Sequence, residues 1–103
     1  VEDMSEIFKK ADSFDQDIGG WDTSNVKNMH RLFDGAESFN QDIGEWDTSN
    51  VKNMDWMFVL AASFDQDISA WCVEDITEKP ESFDGEAGFE GEDAKQPNWG
   101  EAC

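Results

Sequence analysis

The feature that most constrains this chain is a 25-residue period. Rows begun at Val1, Val26 and Val51 align, and a weaker fourth row opens near Ile76. The apolar columns are Met4/Met29/Met54, Ile7/Leu32/Met57, Phe8/Phe33/Phe58/Phe83, Ala11/Ala36/Ala61, Phe14/Phe39/Phe64/Phe89, Ile18/Ile43/Ile68 and Trp21/Trp46/Trp71. Polar columns hold as well: Ser13/Ser38/Ser63, Gln16/Gln41/Gln66, Asp17/Asp42/Asp67 and Thr23/Thr48. A unit this short cannot bury its own apolar face, so its neighbours must complete the core. The chain therefore divides into three repeats over 1–25, 26–50 and 51–75, followed by a degenerate fourth repeat and C-terminal cap over 76–103. Together they make one domain.

The spacing within a row gives an expected fold class: α/β, a leucine-rich-repeat-like solenoid of three short strand-turn-helix coils with an irregular, disulfide-pinned C-terminal cap. Trp46 and Thr48 alternate across Asp47, the period of a short strand. Met54, Met57, Phe58 and Ala61 fall three, four and seven apart, which predicts a helix over 52–60. Ser49 and Asn50 suit its N-cap, and the Gly19/Gly44 column marks a turn. Pro80, Gly85, Gly88, Gly91 and Pro97 make the tail irregular, with Phe83, Phe89 and Trp99 as anchors.

Charge narrows the function classes. With 25 acidic and 7 basic side chains the net charge is −18. Nucleic-acid binding needs clustered cations, and an anionic membrane surface would repel such a chain. Disorder is excluded by the 8 Phe and 5 Trp, which something must bury. No apolar run approaches the ~20 residues that span a bilayer, and no signal peptide is evident at Val1. The acidity also fits a protein kept soluble at high salt, in which case it says nothing about ligands.

The segment SFNQDIGEWDTSNVKNM, with its flanking Met-Phe and Ala positions, resembles the BspA-like, leucine-rich-repeat-type family of surface proteins, long a domain of unknown function. The resemblance is specific over 1–75, and Trp71-Cys72-Val73, Ile76, Pro80, Phe83, Pro97-Asn98-Trp99-Gly100 and Cys103 extend it through the tail. It implies secreted or surface-exposed proteins that bind or adhere, with no catalysis attributed to the repeat.

Cys72 and Cys103 lie 31 positions apart, with no second pair to form a zinc site. They read either as reactive thiols or as a disulfide pinning the tail over the last coil, and the disulfide is the expectation. Loop closure of that length stabilises by ~3–4 kcal/mol. It also implies a location outside the cytosol: extracellular, cell surface or an oxidising lumen. Val1 opens directly in the repeat, so the chain reads as a fragment or mature part of a longer one, or as one whose open N-terminal face stacks on another chain.

Three surface features are candidates for function. Asp17, Asp42 and Asp67 stack in a column whose mutual repulsion must be offset. Calcium held between coils is one reading, and solvated or turn-capping carboxylates are the other and the preferred one. An EF-hand is excluded, since Val26 stands where the bidentate Glu belongs. In the third repeat, Trp56, Val59 and Leu60 replace the polar Glu6/Arg31, Lys9/Asp34 and Lys10/Gly35, which marks either a partner-binding patch or a surface the tail covers. The Trp column is read as core in preference to a sugar-stacking platform.

Nothing supports catalysis. His30 shares its column with Ser5 and Asp55, no Ser or Cys has a His partner, and no phosphate loop is present. The sequence therefore predicts a non-enzymatic protein-binding or adhesion module without cofactor, calcium aside, whose partner is a protein. It predicts no nucleic acid and no direct membrane insertion. The alternative is a structural accessory subunit of a larger assembly, lumenal or membrane-associated.

Overall fold

Each unit is built from turns, and its amide donors explain why. In the computed structural model, which describes residues 2–102, the amides of Met29, Arg31, Phe33 and Gly35 donate to the carbonyls of Asn53, Asp55, Met57 and Val59 in the next unit. The amides between them, on Leu32, Asp34 and Ala36, donate three residues back, to Met29, Arg31 and Phe33. Met4, Glu6, Phe8 and Lys10 repeat the cross-unit set onto Asn28, His30, Leu32 and Asp34. Trp56, Phe58 and Leu60 repeat it onto Glu81, Phe83 and Gly85 of the cap.

An α-helix requires successive amides to donate four residues back, and here alternate amides are committed to a neighbouring unit. The chain reaches that geometry through left-handed φ at Glu6, Lys10, Arg31, Trp56, Leu60, Ser82 and Glu86, with Gly35 taking the equivalent place in the second unit. Each non-glycine residue there costs ~1–2 kcal/mol, offset by the cross-unit hydrogen bonds and the burial beneath them.

The expected α/β leucine-rich-repeat-like solenoid is therefore corrected. Among the described residues the only regular elements are a 3-10 turn, Asp93–Lys95, and the isolated parallel bridges Asp3↔Asn28 and Asn28↔Asn53. There is no strand at 46–48 and no helix over 52–60. The folded chain is a compact globule of 34 × 29 × 20 Å with a radius of gyration of 12.0 Å.

The burial read as helical and stranded is nonetheless present. Met54, Met57, Phe58 and Ala61 are fully buried, because consecutive turns closing after three residues reproduce helical spacing. Trp46 and Thr48 are buried around an exposed Asp47, but side chains span the gap that strand amides would bridge. Thr23 Oγ1 donates to the Asp47 carbonyl at 3.0 Å and Thr48 Oγ1 to that of Cys72 at 2.8 Å. The turn at Gly19 forms as expected: a Cβ there would sit 2.6 Å from the Asp42 carbonyl, so the units approach too closely for a side chain.

The core is a double column of phenylalanines. Phe8, Phe33 and Phe58 stack with centroids 5.7 and 5.4 Å apart, and Phe14, Phe39 and Phe64 with 5.7 and 5.8 Å. Within units 2 and 3 the two columns touch at 4.3 and 4.4 Å. Burying each such ring contributes about 1.5–3 kcal/mol.

The cap ends both columns by turning its rings edge-on, Phe83 at 84° to Phe58 and Phe89 at 83° to Phe64. Trp99 closes over Phe83 at 4.9 Å. One buried carboxylate ties the cap together: Asp84 Oδ2 accepts from Lys79 Nζ at 2.9 Å, the Gly91 amide at 3.0 Å and Gln96 Nε2 at 2.8 Å.

Candidate functional site

The Asp17/Asp42/Asp67 column is engaged in its own turns. Asp17 Oδ1 accepts from the Gly19 amide at 3.0 Å, Asp42 Oδ1 from the Gly44 amide at 2.9 Å, and Asp67 Oδ1 from the Ser69 amide at 2.9 Å and hydroxyl at 2.5 Å. The Ser69 hydroxyl, then its amide, holds the Asp67 carboxyl below its ordinary value. Asp22 and Asp47 repeat the device with Ser24 and Ser49, and their carboxyls are lowered for the same reason.

Asp17 and Asp42 border an open hollow of about 320 Å³ with Gly19, Gly20 and Glu45. Among the described residues no group of three or more His, Cys, Asp or Glu side chains is placed to hold a metal ion. The arrangement supports turn capping.

A second polar column, Asp15/Asn40/Asp65, joins unit to unit. Asp15 Oδ1 accepts from the Asn40 amide at 3.0 Å and from Gln41 Nε2 at 2.9 Å. Asn40 Oδ1 then accepts from the Asp65 amide at 2.9 Å and Gln66 Nε2 at 3.0 Å. Lys95 closes the row from the cap, 2.6 Å from Asp65. The Gln16/Gln41/Gln66 column was the available signal for this relay.

Trp56, Val59 and Leu60 lie together on one surface. Trp56 and Leu60 occupy the paired left-handed positions of unit 3, which turn their side chains away from the phenylalanine columns. Leu60 is 46% exposed, whereas Trp56 and Val59 are half-buried. The tail runs alongside this surface, its Glu81 and Gly85 carbonyls accepting the Trp56 and Leu60 amides and its Gly85 standing against Val59 Cγ2, and it leaves Leu60 exposed. Arg31 of the preceding unit lies over the Trp56 ring at 4.8 Å and pairs with Asp34 at 3.2 Å. The sequence did not reveal that cation–π contact. Leu60 also borders a groove of about 500 Å³ that crosses the units, with Lys10, Asp12, Gly35, Glu37, Ala62 and Glu86.

The face of unit 1 turned away from unit 2 is a second apolar surface. Ile7 is 49% and Trp21 46% exposed, while their counterparts Leu32, Met57, Trp46 and Trp71 are buried. Phe8 and Phe14 are half-buried. Met4, Ile7, Trp21, Asp22 and Thr23 line a hollow of about 270 Å³ there. The Trp column is thus core in units 2 and 3 and surface in unit 1.

Cys72 is disulfide-bonded, and no free cysteine occurs among the described residues. Cys103, the partner expected from the sequence, lies outside the described residues, as does Val1. His30 is half-buried, with its amide on Asn28 Oδ1 at 2.9 Å.

Turn-built units joined by repeating cross-unit hydrogen bonds are the feature that marks the class. The chain belongs to the family described as Mycoplasma protein of unknown function, DUF285, which matches residues 1–97. No curated protein matches the chain, and no solved structure does. Among the described residues no helix is long and apolar enough to cross a membrane.

Proposed function

We propose that this chain is a non-enzymatic protein-binding or adhesion module, secreted or displayed at a cell surface. One observation carries the reading: where units 1 and 2 place Glu6, Arg31, Lys9, Asp34, Lys10 and Gly35, unit 3 places Trp56, Val59 and Leu60, with Leu60 half in solvent. The repeating carboxylates and amides are engaged in turns and unit-to-unit bonds, so the break in the pattern is where function concentrates. Trp and a neighbouring Arg are the residue types most enriched at binding hot spots. The resemblance to BspA-like surface proteins supports the adhesion part, and the bonded Cys72 supports an oxidising compartment. The partner is a protein, with neither nucleic acid nor membrane insertion involved, and no cofactor enters.

The test is surface plasmon resonance of the full chain against immobilised extracellular-matrix and cell-surface proteins. Leu60→Asp and Trp56→Ala abolish the binding found while the thermal unfolding of Leu60→Asp stays near that of the parent. Binding unaffected by both substitutions contradicts the assignment.

The exposed Ile7 and Trp21 favour a second reading, a structural accessory subunit packed into a larger assembly. An adhesin of this size stays monomeric alone, whereas a subunit stripped of its neighbours self-associates through that face.

A further inference from the structure

The groove of about 500 Å³ on the flank of the stack runs between two columns. One is Lys10, Gly35, Leu60 and Glu86, the left-handed positions of the three units and the cap. The other is Asp12, Glu37 and Ala62. Gly35 has no side chain to fill its place, so the floor drops between Lys10 and Leu60. Leu60, 46% exposed, and the exposed Ala62 give the groove its apolar part.

The carboxylates on its rim have no structural task. Asp42 and Asp67 hold turn amides, Asp15 bonds across units, and Asp75 and Asp84 pair with Lys52 and Lys79. By contrast, Asp12, Glu37 and Glu86 are exposed, and their side chains make no hydrogen bond or ion pair among the described residues. Lys10, at the unit-1 end, is the one cation lining the groove against these three, and it too has no ion pair there. Glu45 and Glu74 are equally exposed and unpaired among the described residues, but neither borders this groove. The combination of uncompensated negative charge with an exposed leucine and alanine is what sets the groove apart.

We propose that this groove docks an extended, basic segment of a partner protein, in which arginine or lysine is mixed with aliphatic residues. The inference rests on the protein-binding reading above and supplies the chemistry of the partner. Charge complementarity selects the occupant: its cations pair with Asp12, Glu37 and Glu86, and the net charge of −18 steers them there. Its aliphatic side chains cover Leu60, Ala62 and the floor at Gly35. The phenylalanine stacks step from unit to unit by 5.4 to 5.8 Å. Three such steps, from unit 1 to the cap, match about five residues of extended chain at ~3.3 Å each.

The test is fluorescence anisotropy of the full chain with a labelled pentapeptide of alternating arginine and leucine. The expected result is saturable binding that weakens about 10-fold when Asp12→Asn and Glu37→Gln are combined. Leu60→Ser weakens it as well, and the pair Glu45→Gln with Glu74→Gln leaves it unchanged. Absence of binding overturns the proposal. An equal loss in the Glu45 and Glu74 pair also overturns it, since the net charge alone would then hold the peptide. Equal binding of pentalysine, which carries charge without aliphatic side chains, overturns the role of the apolar floor and with it the proposal. The protein-binding experiment separates the two readings: a partner that needs Trp56 but still binds the Asp12→Asn, Glu37→Gln variant leaves the adhesion reading standing and overturns this one.

Discussion

Trp46 donates its indole N–H to the carbonyl of Ile18, one unit below, at 3.0 Å, and Trp71 repeats the bond to Ile43 at 2.9 Å. The two indoles stack with an interplanar angle of 7°. A single residue type therefore fills the core and links adjacent units. Trp46→Phe keeps most of the ring and leaves the Ile18 carbonyl the Trp21 amide as its donor, so it loses one hydrogen bond at about 0.5–1.5 kcal/mol. Trp46→Ala adds a cavity, for a total near the ~3–5 kcal/mol of large-to-small core changes. Trp21→Phe costs less, because Trp21 is half in solvent and its indole N–H has no hydrogen-bond partner among the described residues. Denaturant unfolding of the three variants checks the order.

Asp84 is the lock of the cap. Burial raises its carboxyl, but the Gly91 amide, Gln96 and Lys79 together carry it below the ordinary value of 3.8. A depressed folded value means that this contribution is present in full above 3.8 and is lost as pH falls through the lower folded value. Asp84→Asn therefore destabilises the chain near neutral pH and flattens the acid limb of its stability curve. Asp84→Ala, which leaves Gln96 and Lys79 without their acceptor, costs about 2–4 kcal/mol. An unchanged acid limb in Asp84→Asn would show that the lock does not contribute.

Calcium is expected to act as general screening and nothing more. The column Asp17, Asp42 and Asp67 already accepts turn amides, and the net charge of −18 makes added salt stabilising by relieving self-repulsion. Calorimetry in calcium chloride and in sodium chloride of matched ionic strength should give the same rise in melting temperature. A calcium-specific excess, removed by chelator, would contradict the turn-capping role.

Gly35 occupies the left-handed position that Lys10 and Leu60 hold in the flanking units, at φ 75°. Gly35→Ala introduces a Cβ 3.5 Å from the Lys10 backbone, so there is room, and the conformation alone sets the cost at ~1–2 kcal/mol. A helix through this segment would instead be stabilised by the change. The sign of the effect in thermal unfolding separates the two backbones.

That contrast shows how far the sequence could be read. The period, the buried Met, Phe, Ile and Ala columns and the turn at Gly19 were legible because stacked units must repeat their apolar contacts. The backbone path was not. Met54, Met57, Phe58 and Ala61 have the spacing of a helix, and turns closing after three residues share it. Left-handed φ falls on Glu6, Arg31, Trp56 and Leu60, residue types that carry no such signal. At the surface, the turn-capping role of Asp42 and the apolar swap at Trp56 and Leu60 could be read from columns. The Asp84–Gln96 bond could not, since it joins residues from different columns, and the Arg31–Trp56 contact, between consecutive members of one column, depends on a side-chain placement that the column does not give.

The central claim is that alternate amides pair across units instead of within a helix. NMR through-hydrogen-bond couplings test it most directly. The account predicts a coupling from the Phe33 amide to the Met57 carbonyl, 2.9 Å apart, together with positive φ at Trp56 and Leu60 from amide–Hα couplings. A coupling from the Phe58 amide to the Met54 carbonyl, with helical φ through residues 52–60, would contradict it.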